Sequence, residues 1–222
     1  MPITPFDCDA ENVAEINALV DRLRRRSAKF VPYVHPDHGG VRAPIVSVLR
    51  DPGKATRKTD VLCTDNPDPT SGRQRQLMAA TGLMVRDLCP WNAYPFAQDE
   101  EGDGKLTPDV IARGAVILTD VLPLMTDLKV LLLQGNEAKW AWAMVQAFRP
   151  RYARPPFEVV TTFHPLGTRG RTPRETDEER RHNNSMPVEG SQTLCTSGST
   201  VQPESEWTAS HCVVKDKRAS SR

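Results

Sequence analysis

Three chemically capable side chains each follow a run of apolar residues in this chain. Asp51 lies in "VSVLRDPG", Asn92 in "LCPWNAYPF", and His164 in "FEVVTTFHPLGTRG". A carboxylate can orient or deprotonate a water molecule. A side-chain amide offers a donor and an acceptor side by side and can read the edge of a nucleobase. An imidazole changes charge near neutral pH and can stabilise developing negative charge. Each residue also has a plainer reading. Asp-Pro-Gly is ordinary turn chemistry. A lone His at a strand end is commonly structural, and a turn Asn often satisfies its own backbone.

The surrounding charge adds a second signal. Between Arg149 and Arg174 there are six arginines (149, 151, 154, 169, 171, 174) and one acid, Glu158. A basic segment around the His-Pro loop is the footprint expected for phosphate contacts, with a solvated basic face as the alternative. The whole chain hides this, because its 29 basic and 28 acidic residues give a net charge of +1.

The composition excludes several other chemistries. The five cysteines form no C-x-x-C pair and are odd in number, which argues against a zinc or iron–sulfur site and against a disulfide framework. No metal or cofactor is expected. No apolar run reaches membrane-spanning length, and "MPITPFDCDAENV" has no leader pattern. The expectation is a cytoplasmic protein of a reducing compartment.

The elements that must position these residues can be read from periodicity. "DAENVAEINALVDRLRRRSAKF" places Val13, Ile16, Leu19, Val20 and Leu23 at helical spacing. "FVPYVHPDHGG" reads as a loop, and "APIVSVL" as a strand buried on both faces. "DNPDPTSGRQ" is a turn in which Thr70 or Ser71 can cap a helix over about 72–80. A second strand follows in "LCPWNAYPF". "TPDVIARGAVILTDVLPLM" opens with a Thr cap and a Pro at the first helical position. Then come a strand in "LKVLLLQG", a helix opened by Asn136, a strand in "FEVVTTF", and another Thr-Pro helix start in "TPRETDEERRH". Alternating strands and helices imply an α/β sandwich with a mostly parallel sheet. In such folds ligands bind outside the carboxyl ends of the strands, so the loops carrying Asp51, Asn92 and His164 should share one crevice. From about residue 183 the chain is rich in Ser and Thr and lacks periodicity. With a mean hydropathy of −0.48 for the chain, this divides it into an α/β domain over 1–182 and a disordered tail over 183–222.

Four motifs in order, "RAPIVSVLRDPG", "DNPDPT", "WNAYPF" and "TTFHPLGTRG", resemble those of the uracil-DNA glycosylase superfamily, closest to small members without an iron–sulfur cluster. The resemblance covers about 30–182. It implies a three-layer α/β/α sandwich around a four-stranded parallel sheet. By the matching motifs, Asp51 would act on the attacking water and His164 would stabilise the departing base. Asn92 would read the uracil edge, with Pro52 and Gly53 shaping the pocket wall. Leu166 and the loop through Arg169 and Arg171 would fill the space left by a flipped nucleotide and hold DNA. The chain departs from the pattern in three places. Leu166 stands where the family usually has Ser, Gly53 where one branch has a thymine-excluding Tyr, and Arg50 where Gln or Glu is common. The base-stacking aromatic is not evident; Trp91 and Phe96 are candidates for it, although aromatics are mostly packing residues and the core is the favoured place for both.

The implied activity is hydrolysis of the N-glycosidic bond of uracil, or a related deaminated base, in single- or double-stranded DNA by a monomeric enzyme of base-excision repair. The alternatives are a family-like module that binds DNA or a nucleotide without cleaving it, and a small-molecule α/β enzyme acting on nucleosides or nucleotides. Steep salt dependence of DNA affinity would count against the last of these.

Overall fold

The computed structural model describes residues 6–98 and 106–167. Helix α1 spans Ala14–Ser27, β1 Tyr33–Val34, β2 Ile45–Leu49, α2 Lys54–Thr59, β3 Val61–Leu62, α3 Pro69–Thr81, β4 Leu88–Asn92, α4 Pro108–Val121, β5 Val130–Gln134, α5 Asn136–Phe148 and β6 Glu158–Thr162. Strands β4, β2, β5 and β6 form a parallel sheet in that order. The fold is a three-layer α/β/α sandwich; the strand–helix alternation implied the α/β sandwich with a mostly parallel sheet, and the resemblance implied its three layers. The domain boundary expected near residue 183, the tail and the second Thr-Pro helix start lie outside the described residues.

Sheet pleating explains the two layers. Successive side chains of a strand point to opposite faces. On β2 the Ser47 hydroxyl donates to Gln134 Oε1, which also accepts from Gln74 of α3, so Ser47 faces α3. Val46 and Val48 therefore face the other way, towards α4 and α5, with Leu131 and Leu133 of β5. All four are essentially inaccessible to water. Burying each such side chain stabilises the fold by roughly 1.5–3 kcal/mol. Pro90 sits in β4, an edge strand, where a missing amide hydrogen is tolerated.

One close approach and one buried amide seat the helices. A Cβ on Gly114 of α4 would lie 1.8 Å from the Ala93 carbonyl oxygen, so only Gly lets α4 cross the end of β4. Helix α1 is stapled by a buried amide: Asn17 Nδ2 donates to the Cys8 and Val34 carbonyls, and Oδ1 accepts from the Val34 N–H.

Several local expectations need correction. Helix α3 starts at Pro69, ahead of the expected 72–80 span, and its cap is Asp68 rather than Thr70 or Ser71. The Asp68 carboxylate accepts from the Ser71 N–H at 3.0 Å and from its hydroxyl at 2.8 Å. The charged acceptor of Asp68 outcompetes the neutral hydroxyls. Thr107 precedes Pro108 as expected but makes no side-chain capping bond. The "FVPYVHPDHGG" loop contains β1, which pairs with β3 in a separate two-stranded parallel sheet. Strands of two residues leave no period to detect.

Candidate functional site

Strand register brings the candidate residues level. Leu49 at the end of β2 pairs with Asn92 at the end of β4. Beyond that pair the Ala93 N–H donates to Leu49 O and the Tyr94 N–H to Arg50 O. On the other side Gln134 of β5 pairs with Thr162 of β6. Asp51 and His164 thus lie two residues past paired strand ends. The chain visits β2, then β4, then crosses to β5 on the other side of β2. The carboxyl ends of β2 and β5 therefore flank the topological switch point, where open α/β sheets bind ligands.

A cleft of ≈ 580 Å³ opens at this edge, lined by Asp51, Pro52, Gly53, Asn92 and His164 among others. This volume is within the range of small-molecule sites. All five residues predicted for catalysis or base contact meet in it. The opposite wall comes from Leu62, Cys63, Thr64 and Asn66, and from the amino end of α3 at Asp68, Pro69, Thr70 and Ser71. Lys54 and Lys58 add positive charge to the lining.

Asp51 is half-buried beside Arg50, with Oδ1 3.1 Å from Arg50 Nε. Arg50 Nε is also 4.0 Å from Glu137 Oε1. Burial pushes the Asp51 carboxyl above its ordinary 3.8; Arg50 pulls it down and Glu137 adds to the rise. Burial pushes His164 below its ordinary 6.5, with Glu137 and Asp68 raising it and Arg50 lowering it.

The His-Pro turn orients the imidazole. The Gly167 N–H donates to His164 O, closing a tight turn, and the Leu166 N–H donates to His164 Nδ1 at 3.2 Å. With Nδ1 accepting, the proton of the neutral ring sits on Nε2. Behind it, Gly135 has φ +99, and a Cβ there would contact His164 Cβ at 3.5 Å and Glu137 Oε2 at 3.8 Å. These are ordinary packing distances, so what calls for Gly135 is its positive φ, which lets α5 start beside the imidazole.

Asn92 is 2% exposed, and its Nδ2 has no hydrogen-bond partner among the described residues. A buried orphan donor costs about 1–3 kcal/mol. A ligand carbonyl in the cleft would remove that penalty.

Other expectations are met differently. Leu166 is half-buried in the His-Pro turn and does not line the cleft. Arg169 and Arg171 lie outside the described residues. Trp91, 1% exposed, and Phe96, packed on Tyr94 at 5.3 Å between ring centroids, belong to the core. The basic surface expected around His164 is divided by the fold. Arg149, Arg151 and Arg154 precede β6, whereas His164 follows it. Five extended residues span roughly 16 Å, so these arginines lie at the far end of the strand.

Glu137 escaped the sequence reading because an acid in the first turn of a helix is ordinary. Only the approach of β2 to β5 puts it next to Arg50. The Ser47–Gln134–Gln74 chain beneath the cleft was equally hidden, since its members are far apart in sequence. Among the described residues no group of three or more His, Cys, Asp or Glu side chains is placed to hold a metal ion, and no helix is long and apolar enough to cross a membrane. No known family model matches the chain, and no curated protein matches it.

Proposed function

We propose that the protein is a DNA glycosylase that hydrolyses the N-glycosidic bond of uracil, or a related deaminated base, in DNA. The observation that carries this reading is the convergence of three groups on one cleft: the Asp51 carboxylate, the orphan amide of Asn92, and His164 with its proton on Nε2. A nucleotide must leave the helical stack for its glycosidic carbon to be reached, at a cost of a few kcal/mol. A flipped uracil carbonyl would accept from Asn92 Nδ2. As the bond from C1′ to the base nitrogen breaks, its electron pair goes to the base. His164 Nε2–H donates to the base oxygen that gains charge, and Asp51 offsets the cationic sugar. Water oriented by Asp51 forms the new C1′–O bond and passes a proton to the carboxylate. The products are free base and an abasic deoxyribose. Arg50, Lys54 and Lys58 are suited to the flanking phosphates. The enzyme would act as a cytoplasmic monomer in base-excision repair.

One observation favours a second reading, a module that binds DNA or a nucleotide without cleaving it. No Phe, Tyr or Trp lines the cleft to stack on a base. The test is purified protein on uracil-containing single- and double-stranded oligonucleotides, followed by alkali cleavage. Abasic sites are expected. Their absence at stoichiometric enzyme with an intact fold would overturn the glycosylase reading.

A further inference from the structure

Two of the three arginines that the fold places away from the His164 loop gather in one groove. Arg149 and Arg151 follow α5 and meet Arg22 and Arg26 of α1 in an open groove of ≈ 750 Å³. Helix α5 begins beside His164 and has 13 residues, so the groove lies about 20 Å from the cleft. All four side chains are on exposed residues. Among the described residues, Arg22, Arg26 and Arg149 form no ion pair, although Asp120 lines the same groove. Arg151 is held in place, stacked 4.9 Å from the Tyr152 ring centroid and donating to its hydroxyl.

Helix electrostatics account for only part of this cluster. Cations favour the last turn of a helix. Arg26 is in the last turn of α1 and Arg149 caps α5, but Arg22 is in the body of α1. Arg22 and Arg26 are one turn apart, a like-charged spacing that destabilises an isolated helix. Four guanidiniums against one carboxylate make a concave anion site.

The chemistry narrows the ligand. Helices α4 and α5 bring their carboxyl ends here, so no amide cradle of the kind that binds a compact phosphate is presented. The grip is entirely through guanidiniums, which match phosphate and carboxylate forks. No aromatic residue lines the groove to stack a base. We propose that this groove is a second nucleic-acid contact, binding the phosphodiester backbone without regard to sequence. It is separate from the cleft and depends on no reaction there. Such a hold keeps the protein on DNA whichever base occupies the cleft.

The test compares the full chain with the triple variants Arg22→Gln/Arg26→Gln/Arg149→Gln and Arg22→Lys/Arg26→Lys/Arg149→Lys. All three positions are exposed, and circular dichroism checks the fold. The affinity for a uracil-free duplex is measured across salt concentrations. Each phosphate contact contributes about 0.9 to the slope of log affinity against log salt. The Gln variant is expected to flatten the slope by close to 3 and to bind about tenfold or more weaker at low salt. The Lys variant should keep most of the slope. An unchanged slope in the Gln variant overturns the proposal. So does loss of inorganic tripolyphosphate or polyglutamate binding while the duplex slope stays intact, since the site would then serve another anion. The measurement reads no turnover, so uracil excision by the same variants stands or falls separately.

Discussion

Arg50 Nε lies 3.1 Å from Asp51 Oδ1, so the carboxylate at the cleft carries its own counter-ion from the adjacent residue. Arg50 lowers the proton affinity of both Asp51 and His164. In the proposed reaction the working forms are an ionised Asp51 and a neutral His164. Asp51 is raised from 3.8, so its charged form is lost at higher pH than an ordinary carboxylate's, and His164 is lowered from 6.5, so its neutral form persists below the ordinary imidazole range. The rate of base release should fall on an acid limb that lies above the ordinary carboxylate range for Asp51 and below the ordinary imidazole range for His164. Arg50→Gln removes the charge that depresses both groups and should move the acid limb to higher pH. A limb that stays in place in the pH profile of kcat/KM would contradict this.

Asp51→Asn and His164→Ala separate chemistry from binding. Each should lower single-turnover base release by about 100- to 10,000-fold. Affinity for a uracil-containing duplex should change only a few-fold, because neither side chain grips phosphate. Loss of affinity in step with rate would assign these residues to binding instead.

Asn92 predicts a conflict between stability and activity. Asn92→Leu removes the orphan Nδ2 and should leave the unfolding free energy unchanged or raise it by about 1 kcal/mol. The same variant should lose uracil excision, having no amide to pair with the base. Urea unfolding and an excision assay on one preparation read both effects. Marked destabilisation would mean that the amide has a structural task.

Gly53 leaves the cleft open. Its backbone is extended, and an added Cβ would meet nothing within 4 Å. Gly53→Tyr should therefore fold normally and narrow the site. Excision of uracil relative to bases bearing a bulky 5-substituent should increase in competition assays. Equal loss on all substrates would place the new ring across the entrance.

Asn17 should be a stability determinant away from the site. Asn17→Ala strands the buried N–H and carbonyl of Val34. The expected loss is about 2–4 kcal/mol in urea unfolding, from two orphaned backbone groups. A loss below about 0.5 kcal/mol would show that those groups find other partners.

The four main strands, most helices and the strand-end positions of Asp51, Asn92 and His164 were legible in the sequence. Apolar periodicity and Pro, Gly and Thr punctuation are properties of neighbouring residues, so a linear reading captures them. What it missed depends on contacts between distant segments. Six arginines close in sequence look like one surface, yet β6 carries Arg149 and Arg151 away from His164 and sets them beside Arg22 and Arg26 of α1. Glu137 looks like an ordinary first-turn acid until β2 and β5 pair and place it by Arg50. Trp91, favoured for the core but open to use as a stacking platform, is settled as core only when the packing of β4 buries it. The residues that can do chemistry follow from local pattern. Which of them meet is decided by strand order and register, because pairing β2 between β4 and β5 brings together residues that no local pattern connects.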